Sequence, residues 1–341
     1  MGMTIINAGF LTTVQDSGRI GYQQFGVPVS GVMDPRSFAI ANMLVGNPTD
    51  EAVLEITMLG PAIAFDEANI IAVTGGNLSP LLNGVAMPMY QAVLVKAGDV
   101  LSFGMQLSGC RAYLAAAGGF AIMPVMGSRS TYLKAKIGGF EGRKLGKDDK
   151  IAFRAPKTDL PNLTSGRIVE AEAFNNSQKT LRVILGPQDD AFTPNGISTF
   201  LSTPYSVTNQ FDRMGCRLEG HFIEHIKDGN IISDGISMGA VQIPSEGQPI
   251  IMLADRQTTG GYTKIANVIT ADFPLIAQCK FGDIIRFKAV TIAEAQDSYL
   301  AQMRNLEAIR IALDTPRETP KSWDVNVTVN GTQYLCHVKE R

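Results

Sequence analysis

The stretch PIIMLADRQTTGGY, residues Pro249–Tyr262, places an acid, a base, an amide and two hydroxyls directly after an apolar run. A short apolar run bounded by turn residues predicts a β-strand. Side chains alternate between the two faces of a strand, so Asp255 and Arg256 are expected on opposite faces. Gln257 shares the face of the aspartate, and Thr258 shares that of the arginine. The two charges therefore cannot both reach one small ligand unless the strand ends or bulges between them.

The glycine pair that follows, Gly260 and Gly261, allows the backbone to turn with its N–H groups exposed. Such a nest of amide groups binds anions. On local chemistry alone, the stretch is either a chemical site at a strand end or a polar turn. We interpret it as a strand that runs into a glycine-hinged loop beside a cleft. On this interpretation Asp255, Gln257 and Arg19 line one cavity.

Short apolar runs punctuated by glycine and proline recur along the chain, which has 341 residues, 34 of them Gly and 17 Pro. Few helical stretches lie between the runs, a pattern that favours barrels or sandwiches over a doubly wound α/β sheet. The length suits two packed units. We predict a mainly β protein with two β-barrel-like domains: residues 3–160, a β-rich unit, residues 161–312, a β-barrel, and residues 313–341, a linker and a hairpin.

Two helices and a terminal hairpin have clear signals. Asp34 is a candidate N-cap before Pro35, and Thr291 with Glu294 forms a capping box ahead of a helix of about twenty residues. Alternation by twos around Asn330-Gly331 predicts a β-hairpin. The long helix is expected to bury one apolar stripe, made of Tyr299, Leu300, Met303, Leu306 and Ile309.

Composition excludes several classes of function. The chain has 30 basic and 32 acidic side chains, so there is no basic field to hold a nucleic acid backbone. No apolar run reaches the roughly eighteen residues that a membrane span needs, which predicts a cytoplasmic protein. The four cysteines are far apart and are expected to be small buried residues rather than disulfide partners.

Two short segments match the residue patterns of known catalytic motifs, but the surrounding sequence does not fit the structures that those motifs require. Residues 221–225 read HxxEH, yet Gly220 precedes them and a turn signal follows closely, so no helix would align both imidazoles on zinc. Residues 235–239 read GxSxG, but a short β-prone run follows instead of a helix, which favours a glycine-flanked turn over a nucleophile. We therefore expect no metal site, and no phosphate-binding loop is present in the sequence.

Two polar loops remain as candidate binding segments. Residues 13–35 concentrate polar side chains among glycines and contain too few apolar residues for core. An ordered surface loop that satisfies its own polar groups is an equally good interpretation. Residues 127–132 join hydroxyls to Arg129 in a manner suited to a carboxylate or phosphate, although a solvated loop fits as well.

Several segments together carry a resemblance to a known family. They are GRIGYQQFGVPVSGVMDPRSFAIANMLVGN, LEITMLGP, DRMGCRLEG, FGDIIRF and the run GAVQIPSEGQPIIMLADRQTTGGYTKIANVI. The chain resembles the biotin-dependent carboxyltransferase family, which includes the KipA and allophanate hydrolase subunit 2 groups, from about Thr4 to Val290. The resemblance implies β-barrel units, the second of cyclophilin-like type.

The resemblance also implies an activity and partners. It implies one component of an ATP-dependent 5-oxoprolinase, which opens 5-oxoproline to L-glutamate together with the A and B components of that enzyme, the latter KipI-like. ATP is expected in the complex, on a component that the sequence does not identify. The chain lacks a biotinylation motif, so biotin is not expected on it. Alternative functions are a KipA-type regulator that antagonises a KipI-like kinase inhibitor, and a carboxyltransferase of a urea carboxylase or allophanate hydrolase-like system.

Site residues follow from the matched motifs. The catalytic positions are expected to be Asp255, Arg256, Gln257 and Thr258. The substrate-binding positions implied are Asp16, Arg19, Tyr22, Asp34, Asp212, Arg213, Gln242, Gly260, Gly261, Tyr262 and Lys264. Cys216 departs from the aromatic residue that the resemblance implies after RMG, so the segment DRMGCRLEG is expected to matter less for chemistry.

Physical roles can be assigned to some of these residues as hypotheses. Lactam opening needs cations or N–H donors at the developing negative charge and a group that handles the proton of water. Arg256 or Arg19 is expected to hold the substrate carboxylate by a bidentate fork. Gln257 would read the lactam amide and Asp255 would act as base.

Overall fold

The computed structural model describes residues 2–317, 322–330 and 332–339, so part of the predicted linker and Gly331 of the predicted hairpin turn lie outside the described residues. The protein is mainly β, with few helices, as predicted. The helices are α1 (Pro35–Leu44), α2 (Leu163–Gly166), α3 (Pro194–Ser202), α4 (Phe273–Ala277) and α5 (Ile292–Asp314), with 3-10 turns at Gln23–Phe25, Asp189–Ala191 and Thr270–Asp272.

Strands make up the rest of the regular structure. In the first half they are β1 (Gly2–Asn7), β2 (Leu11–Gln15), β3 (Val53–Thr57), β4 (Ala62–Phe65), β5 (Asn69–Asn77), β6 (Pro80–Leu82), β7 (Val85–Ala86), β8 (Ala92–Val95), β9 (Val100–Phe103), β10 (Ser108–Ala116) and β11 (Lys150–Ala152). In the second half they are β12 (Gln178–Leu185), β13 (Tyr205–Phe211), β14 (Gly215–Gly220), β15 (Asn230–Gly235), β16 (Ala240–Ile243), β17 (Ile250–Met252), β18 (Thr259–Val268) and β19 (Ile284–Ala289). The terminal pair is β20 (Ser322–Val329) and β21 (Thr332–Lys339).

The first half is built from two sheets that share a core. One has the order β11-β1-β4-β9-β6-β7, and the other has the order β2-β3-β10-β5-β8. Buried side chains from both sheets form one cluster, for example Ile5 and Phe65 from the first and Leu54 and Val73 from the second. The alternation of a strand thus directs one set of residues from each sheet into a shared interior.

Helix α1 covers the other face of the five-stranded sheet. Its residues Phe38, Ile40 and Leu44 pack in a cluster with Val53 and Ile70 of that sheet. Asp34 caps the helix as predicted, because its carboxylate accepts a hydrogen bond of 2.9 Å from the Ser37 amide. The sheet is therefore buried on both faces.

The second half closes into a barrel. The sheet order is β12-β19-β13-β14-β17-β16-β18-β15, and β12 also pairs with β18. Seven strands therefore form a ring, and β15 is attached to it only through β18. Residues of alternate positions, such as Leu181, Val241 and Ile251, fill the interior.

Helix α5 begins at the predicted capping box, where Thr291 and Glu294 exchange hydrogen bonds. The predicted apolar stripe is wrong for its first half. Tyr299 is 43% exposed and Leu300 is 47% exposed, and Met303 is exposed too, whereas Leu306 is buried. The cause is tertiary packing. Only the C-terminal part of the helix, with the buried Leu306 and Leu313, packs in the cluster around α1.

The C-terminal hairpin is present as predicted. Strands β20 and β21 pair antiparallel from Ser322 opposite Lys339 to Val329 opposite Thr332. Within the described residues, no helix combines the length and the apolar character needed to cross a membrane.

Candidate functional site

The two halves of the protein meet at a buried ion cluster centred on Arg213. Its guanidinium donates two hydrogen bonds of 3.0 Å to the carboxylate oxygens of Asp255. It also contacts Glu55 of β3 at 2.5 Å and the carbonyl of Gly31 at 2.5 Å. Asp255 is only 4% exposed. Arg213 therefore joins the turn after β17 to the first half of the chain.

The cluster continues into the first half. The second oxygen of Glu55 accepts hydrogen bonds from the Met33 amide at 2.8 Å and the Tyr113 hydroxyl at 3.0 Å. The amide of Asp34 in turn donates to the Tyr113 hydroxyl at 2.9 Å. Burial raises the pKa of the Asp34 carboxyl, while its hydrogen bonds with Ser37 and Gln278 oppose the rise. Asp34 and Arg213 were expected to bind substrate, but in the structure they are buried structural groups.

Asp255 was expected to act as base, and its surroundings do not suit that role. Both of its carboxylate oxygens are taken by Arg213. The carboxylate is also almost fully buried, so it has little contact with water. The structure therefore places Asp255 in the ion cluster that holds the halves together.

The first loop makes many of its hydrogen bonds within the protein, although the buried Gln15 Oε1, Arg19 Nη1 and Ser30 Oγ have no hydrogen-bond partner among the described residues. Asp16 accepts hydrogen bonds from the hydroxyls of Ser128 at 2.7 Å and Ser130 at 2.5 Å, and from the amide of Gly18 at 2.9 Å. These hydroxyls of residues 127–132 are consequently not free to hold a ligand anion. The two loops hold each other, which favours the interpretation of residues 13–35 as a segment ordered by its own contacts.

Arg19 is 0% exposed and cannot grip a substrate in this arrangement. Its guanidinium donates to the carbonyls of Val125 at 3.1 Å and Ser130 at 2.8 Å. Burial lowers its pKa, against the attraction of Asp16 and Asp255. Tyr22 is half-buried, and its carbonyl accepts the amides of Phe25 and Val27 in a turn.

The segment after β17 is a turn rather than a continued strand. Strand β17 ends at Met252, and residues 253–258 are irregular before β18 begins at Thr259. Gly260 and Gly261 lie inside β18 and do not have positive φ, so the predicted glycine hinge with an anion nest is wrong. The physical reason is pairing, because Gly260 stands opposite Asp234 of β15 in the sheet.

A cavity of about 600 Å³ lies beside this turn, and we call it the cationic cleft. Arg256, Thr258 and Lys264 of the second half line it together with Gln23 and Gln24 of the first half. The cleft is therefore shared by both halves of the chain. Three of the predicted site residues come together here.

The two cations of the cleft differ in their partners. Arg256 is 7% exposed and donates to the carbonyls of Ile236 at 3.0 Å and Leu253 at 3.2 Å. Within the described residues, no carboxylate forms a salt bridge with it. Burial lowers its pKa to about 10, against the attraction of Asp255, so it stays a cation at neutral pH. Lys264 pairs with the exposed Asp234 at 3.0 Å.

A second cavity, of about 480 Å³, lies on the outer face of the barrel, and we call it the barrel-face cavity. Its lining includes the predicted residues Asp212, Gln242, Gln257 and Tyr262. Gln257 thus points away from the cavity that Arg256 and Thr258 line, although residues 253–258 are irregular and the separation does not come from strand alternation. The expected single cavity for Asp255, Gln257 and Arg19 is not formed, because the aspartate and Arg19 are buried.

Sequence reasoning missed several residues that shape the site. Glu55 was not singled out, although a lone carboxylate in the apolar strand VLEIT is a detectable signal for a buried charge pair. Gln23 and Gln24 carry no such signal, since an exposed amide in a polar loop is ordinary. Only the approach of the two halves places them at the cleft.

Neither the segment that reads HxxEH nor the one that reads GxSxG is helical, as predicted. Residues 221–225 are not helical, and the ring of His225 contacts the carbonyl of Ile243 at 3.0 Å and the ring of Phe192 at a centroid distance of 4.6 Å. Ser237 lies in a turn between β15 and β16 and donates to the Asn267 side chain at 2.6 Å. No group of three metal-ligating side chains occurs among the described residues.

Comparison with known proteins agrees with this architecture. The chain is similar to the C component of 5-oxoprolinase from Escherichia coli K12, with 36% identity over 90% of this chain and 97% of the relative, and from Haemophilus influenzae, with 32% identity over 89% and 97%. The crystal structure of Kluyveromyces lactis urea carboxylase superposes with a TM-score of 0.83 and 30% identity, covering 90% of this chain and 29% of that chain. Residues 25–289 match the family model of the carboxyltransferase domain, subdomain A and B. The chain therefore belongs to the carboxyltransferase domain family that contains subdomains A and B.

Proposed function

We propose that this chain is one component of an ATP-dependent 5-oxoprolinase, which opens 5-oxoproline to L-glutamate together with a KipI-like B component and an A component. The proposal is supported by the extent of the likeness. The chain covers 97% of the length of the C component of Escherichia coli 5-oxoprolinase, but only 29% of the urea carboxylase chain.

The observation that carries the proposal is the state of Arg256 in the cationic cleft. It is a buried cation whose hydrogen bonds go to two main-chain carbonyls. Burying a cation without a carboxylate is unfavourable, so an anionic ligand in the cleft would relieve this cost. The carboxylate of 5-oxoproline matches the fork geometry of a guanidinium.

Lys264 would supply a second positive charge to the same cleft. Opening an amide places negative charge on its oxygen, and a fixed cation stabilises that charge. The ammonium of Lys264 is held by Asp234 at 3.0 Å and by the carbonyl of Gly235 at 3.2 Å, so its position is defined before a ligand enters. In this proposal Arg256 holds the substrate and Lys264 faces the reacting amide.

The base is left to another group. Both carboxylate oxygens of Asp255 accept hydrogen bonds from Arg213. Asp255 therefore fixes the turn that carries Arg256. ATP would be bound by another protein of the complex, and neither ATP nor biotin is assigned to this chain. Water activation is accordingly assigned to the assembled complex rather than to a residue of this cleft.

The test is reconstitution of the complex. The chain is purified with the KipI-like B component and the A component, and ATP-dependent release of glutamate from 5-oxoproline is measured. We expect release only when all three proteins are present. Glutamate formed at the full rate without this chain would overturn the proposal.

A second candidate is carboxyl transfer, which the likeness to urea carboxylase favours. It is tested by supplying carboxylated biotin to the purified chain and measuring loss of the carboxyl group in the presence and absence of urea. Urea-dependent loss would favour this function over lactam opening. Its absence, together with glutamate release in the reconstituted complex, would favour 5-oxoprolinase.

A further inference from the structure

We propose that the C-terminal hairpin of one copy of this chain packs its apolar face into a groove beside helix α5 of a second copy. Two copies related by a twofold axis make this contact twice, since each supplies one hairpin and one groove. The inference concerns the assembly of the chain with itself and goes beyond the proposed function.

The hairpin has one apolar face. Residues that stand directly opposite each other in an antiparallel pair place their side chains on the same face. Val325 stands opposite Cys336, and Val327 stands opposite Tyr334. The apolar face, which we call the hairpin face, consists of Val325, Val327, Val329, Tyr334, Cys336 and Val338. The other face carries the polar residues Asp324, Asn326, Thr328 and Gln333, with Leu335 as an apolar exception.

The hairpin face is uncovered in the single chain. Val329 is 52% exposed and Tyr334 is 53% exposed. In the described part of the chain, the sheet of β20 and β21 has two strands and no third. A two-stranded hairpin alone is marginally stable in water and needs a further strand or packing against a helix. The hairpin face therefore requires a partner surface.

A groove of about 630 Å³ lies between the N-terminal half of α5 and the barrel, and we call it the α5 groove. Its apolar walls include Ile292, Tyr299 and Leu300 on α5 and Met238, Val268 and Phe273 on the other side. No charged residue is among the described residues that line it. An apolar face can therefore be buried there without removing a charge from water. An apolar surface of this kind is typical of a site of protein contact.

The two surfaces match in length. The helix rises about 12 Å from Ile292 to Leu300. Strand β20 extends about 14 Å from Val325 to Val329. A helix packed on a sheet face is one of the common layer arrangements in proteins. The hairpin face can therefore cover the wall of the α5 groove over its whole length.

The course of the chain favours a second copy over the same chain. The α5 groove begins about 21 Å from the C-terminal end of α5, at Leu300, and extends to about 33 Å from it, at Ile292. The chain is held at that end, because the amide of Arg317 donates to the Asn162 side chain at 2.8 Å. An extended chain spans at most about 28 Å from Arg317 to Val325. The hairpin face reaches the groove of its own chain only if the chain reverses at Arg317 and is fully extended. A second copy imposes neither condition.

The first experiment measures the dissociation constant of a dimer of the full chain by sedimentation velocity. Leu300→Asp in the groove and Val327→Asp on the hairpin face should each raise this constant at least about tenfold, because each places a charge at both contacts of the dimer. The matched controls are Ile311→Asp, at an exposed apolar residue of α5 outside the groove, and Asn326→Asp, on the polar face of the hairpin. Both controls should leave the constant unchanged.

All four substituted residues are exposed, so each variant should fold, and far-UV circular dichroism checks this. A chain that stays monomeric at its highest soluble concentration would overturn the proposal. A dimer that is unaffected by both Leu300→Asp and Val327→Asp would overturn it as well, since the contact would then lie elsewhere.

A disulfide test identifies the chain that supplies the hairpin. Cys336 is an exposed thiol of the hairpin face, and the other three cysteines are buried. A chain with Leu300→Cys and Cys336→Ser has a thiol in the groove and none on the hairpin. It is mixed with the unmodified chain and oxidised glutathione. We expect a dimer in which the two different chains are linked, identified by mass spectrometry, and none when Ile311→Cys replaces Leu300→Cys.

The same test separates the two possible sources of the hairpin. In Leu300→Cys with Cys336 retained, we expect the disulfide to link two chains. A disulfide within one chain would show that the hairpin folds back on its own groove, and this result would overturn the role of the second copy. None of these measurements involves ATP, a substrate or another protein, so the result is independent of the glutamate assay.

Discussion

Asp255 and Arg256 are neighbours in sequence, yet their surroundings differ completely. Asp255 is held by Nε and Nη2 of the Arg213 guanidinium in the buried ion cluster. Arg256 is almost as buried, but it contacts main-chain carbonyls and faces the cationic cleft. Burial of a charged residue therefore does not by itself indicate function. What separates the two residues is whether the protein supplies a charged partner.

The largest expected effect comes from breaking the ion cluster. Arg213→Met leaves Glu55 and Asp255 buried without the guanidinium that pairs with them, and removing one partner of a buried ion pair costs about 3–5 kcal/mol. We expect a fall of this size in the free energy of unfolding, measured by urea denaturation. Arg310→Met, which removes an exposed pair with Glu307 on α5, is the matched control and should cause no measurable change.

Asp255→Asn refines the same test. Arg213 keeps Glu55 as a partner in this variant, so the loss of stability should be smaller than in Arg213→Met. A variant that folds with full stability but has no turnover would support the base role expected from the sequence instead. If Arg213→Met is as stable as the unmodified protein, the buried ion cluster does not stabilise the fold.

The second expected effect is on activity rather than stability. Arg256→Met removes the cation that is proposed to hold the substrate carboxylate, and a charged hydrogen bond of this kind is worth about 10- to 100-fold in kcat/KM. The rate of glutamate release by the reconstituted complex is the measurement. Arg286→Met, at an exposed arginine of β19, is the control and should keep full activity. Full activity of Arg256→Met would place substrate recognition elsewhere.

The third effect is a dependence on pH. The pKa of Arg256 is lowered to about 10 by burial, so the side chain is charged at neutral pH and loses its proton as the pH rises through this value. Affinity for a carboxylate should therefore be constant near neutral pH and fall as the pH approaches 10. Calorimetric titration with 5-oxoproline measures this. The fall in affinity near pH 10 should persist in Lys264→Met and vanish in Arg256→Met. The reverse pattern would show that the lysine, not the arginine, causes the fall.

The smallest effect is expected at the rim of the cationic cleft. Asp234 is exposed and pairs with Lys264, and this hydrogen bond lowers the pKa of its carboxyl. Asp234→Asn removes a competing negative charge, so affinity for an anion should increase, by roughly twofold, and more at low salt. The same calorimetric titration at two ionic strengths checks this. Weaker binding in the variant would mean that the positioning of Lys264 by Asp234 outweighs the competition of this carboxylate with the ligand.

Much of the local structure follows from short-range signals. Asp34 with Pro35, and Thr291 with Glu294, start helices where the capping chemistry predicts them. The alternation of β-prone runs predicts the strands. These features depend on residues within one turn or one strand, which the sequence displays directly.

The candidate site was predicted less well, for two reasons. Arg19 and Asp16 have the residue types of a binding loop, but Arg19 donates to carbonyls and Asp16 accepts from a hydroxyl more than a hundred positions away. Gly260 resembles a hinge in sequence, but pairing with β15 makes it part of a strand. In each case the decisive partner is distant in the chain.

Local sequence signals were enough for the mainly β character, the helix starts and the terminal hairpin. Those features arise from capping, propensity and periodicity, which act over a few residues. The pairing of Asp255 and the exposure of Arg256 to a cavity depend on the assembled fold. A charge acquires its role from the partners that the fold brings to it, and those partners come from both halves of the chain.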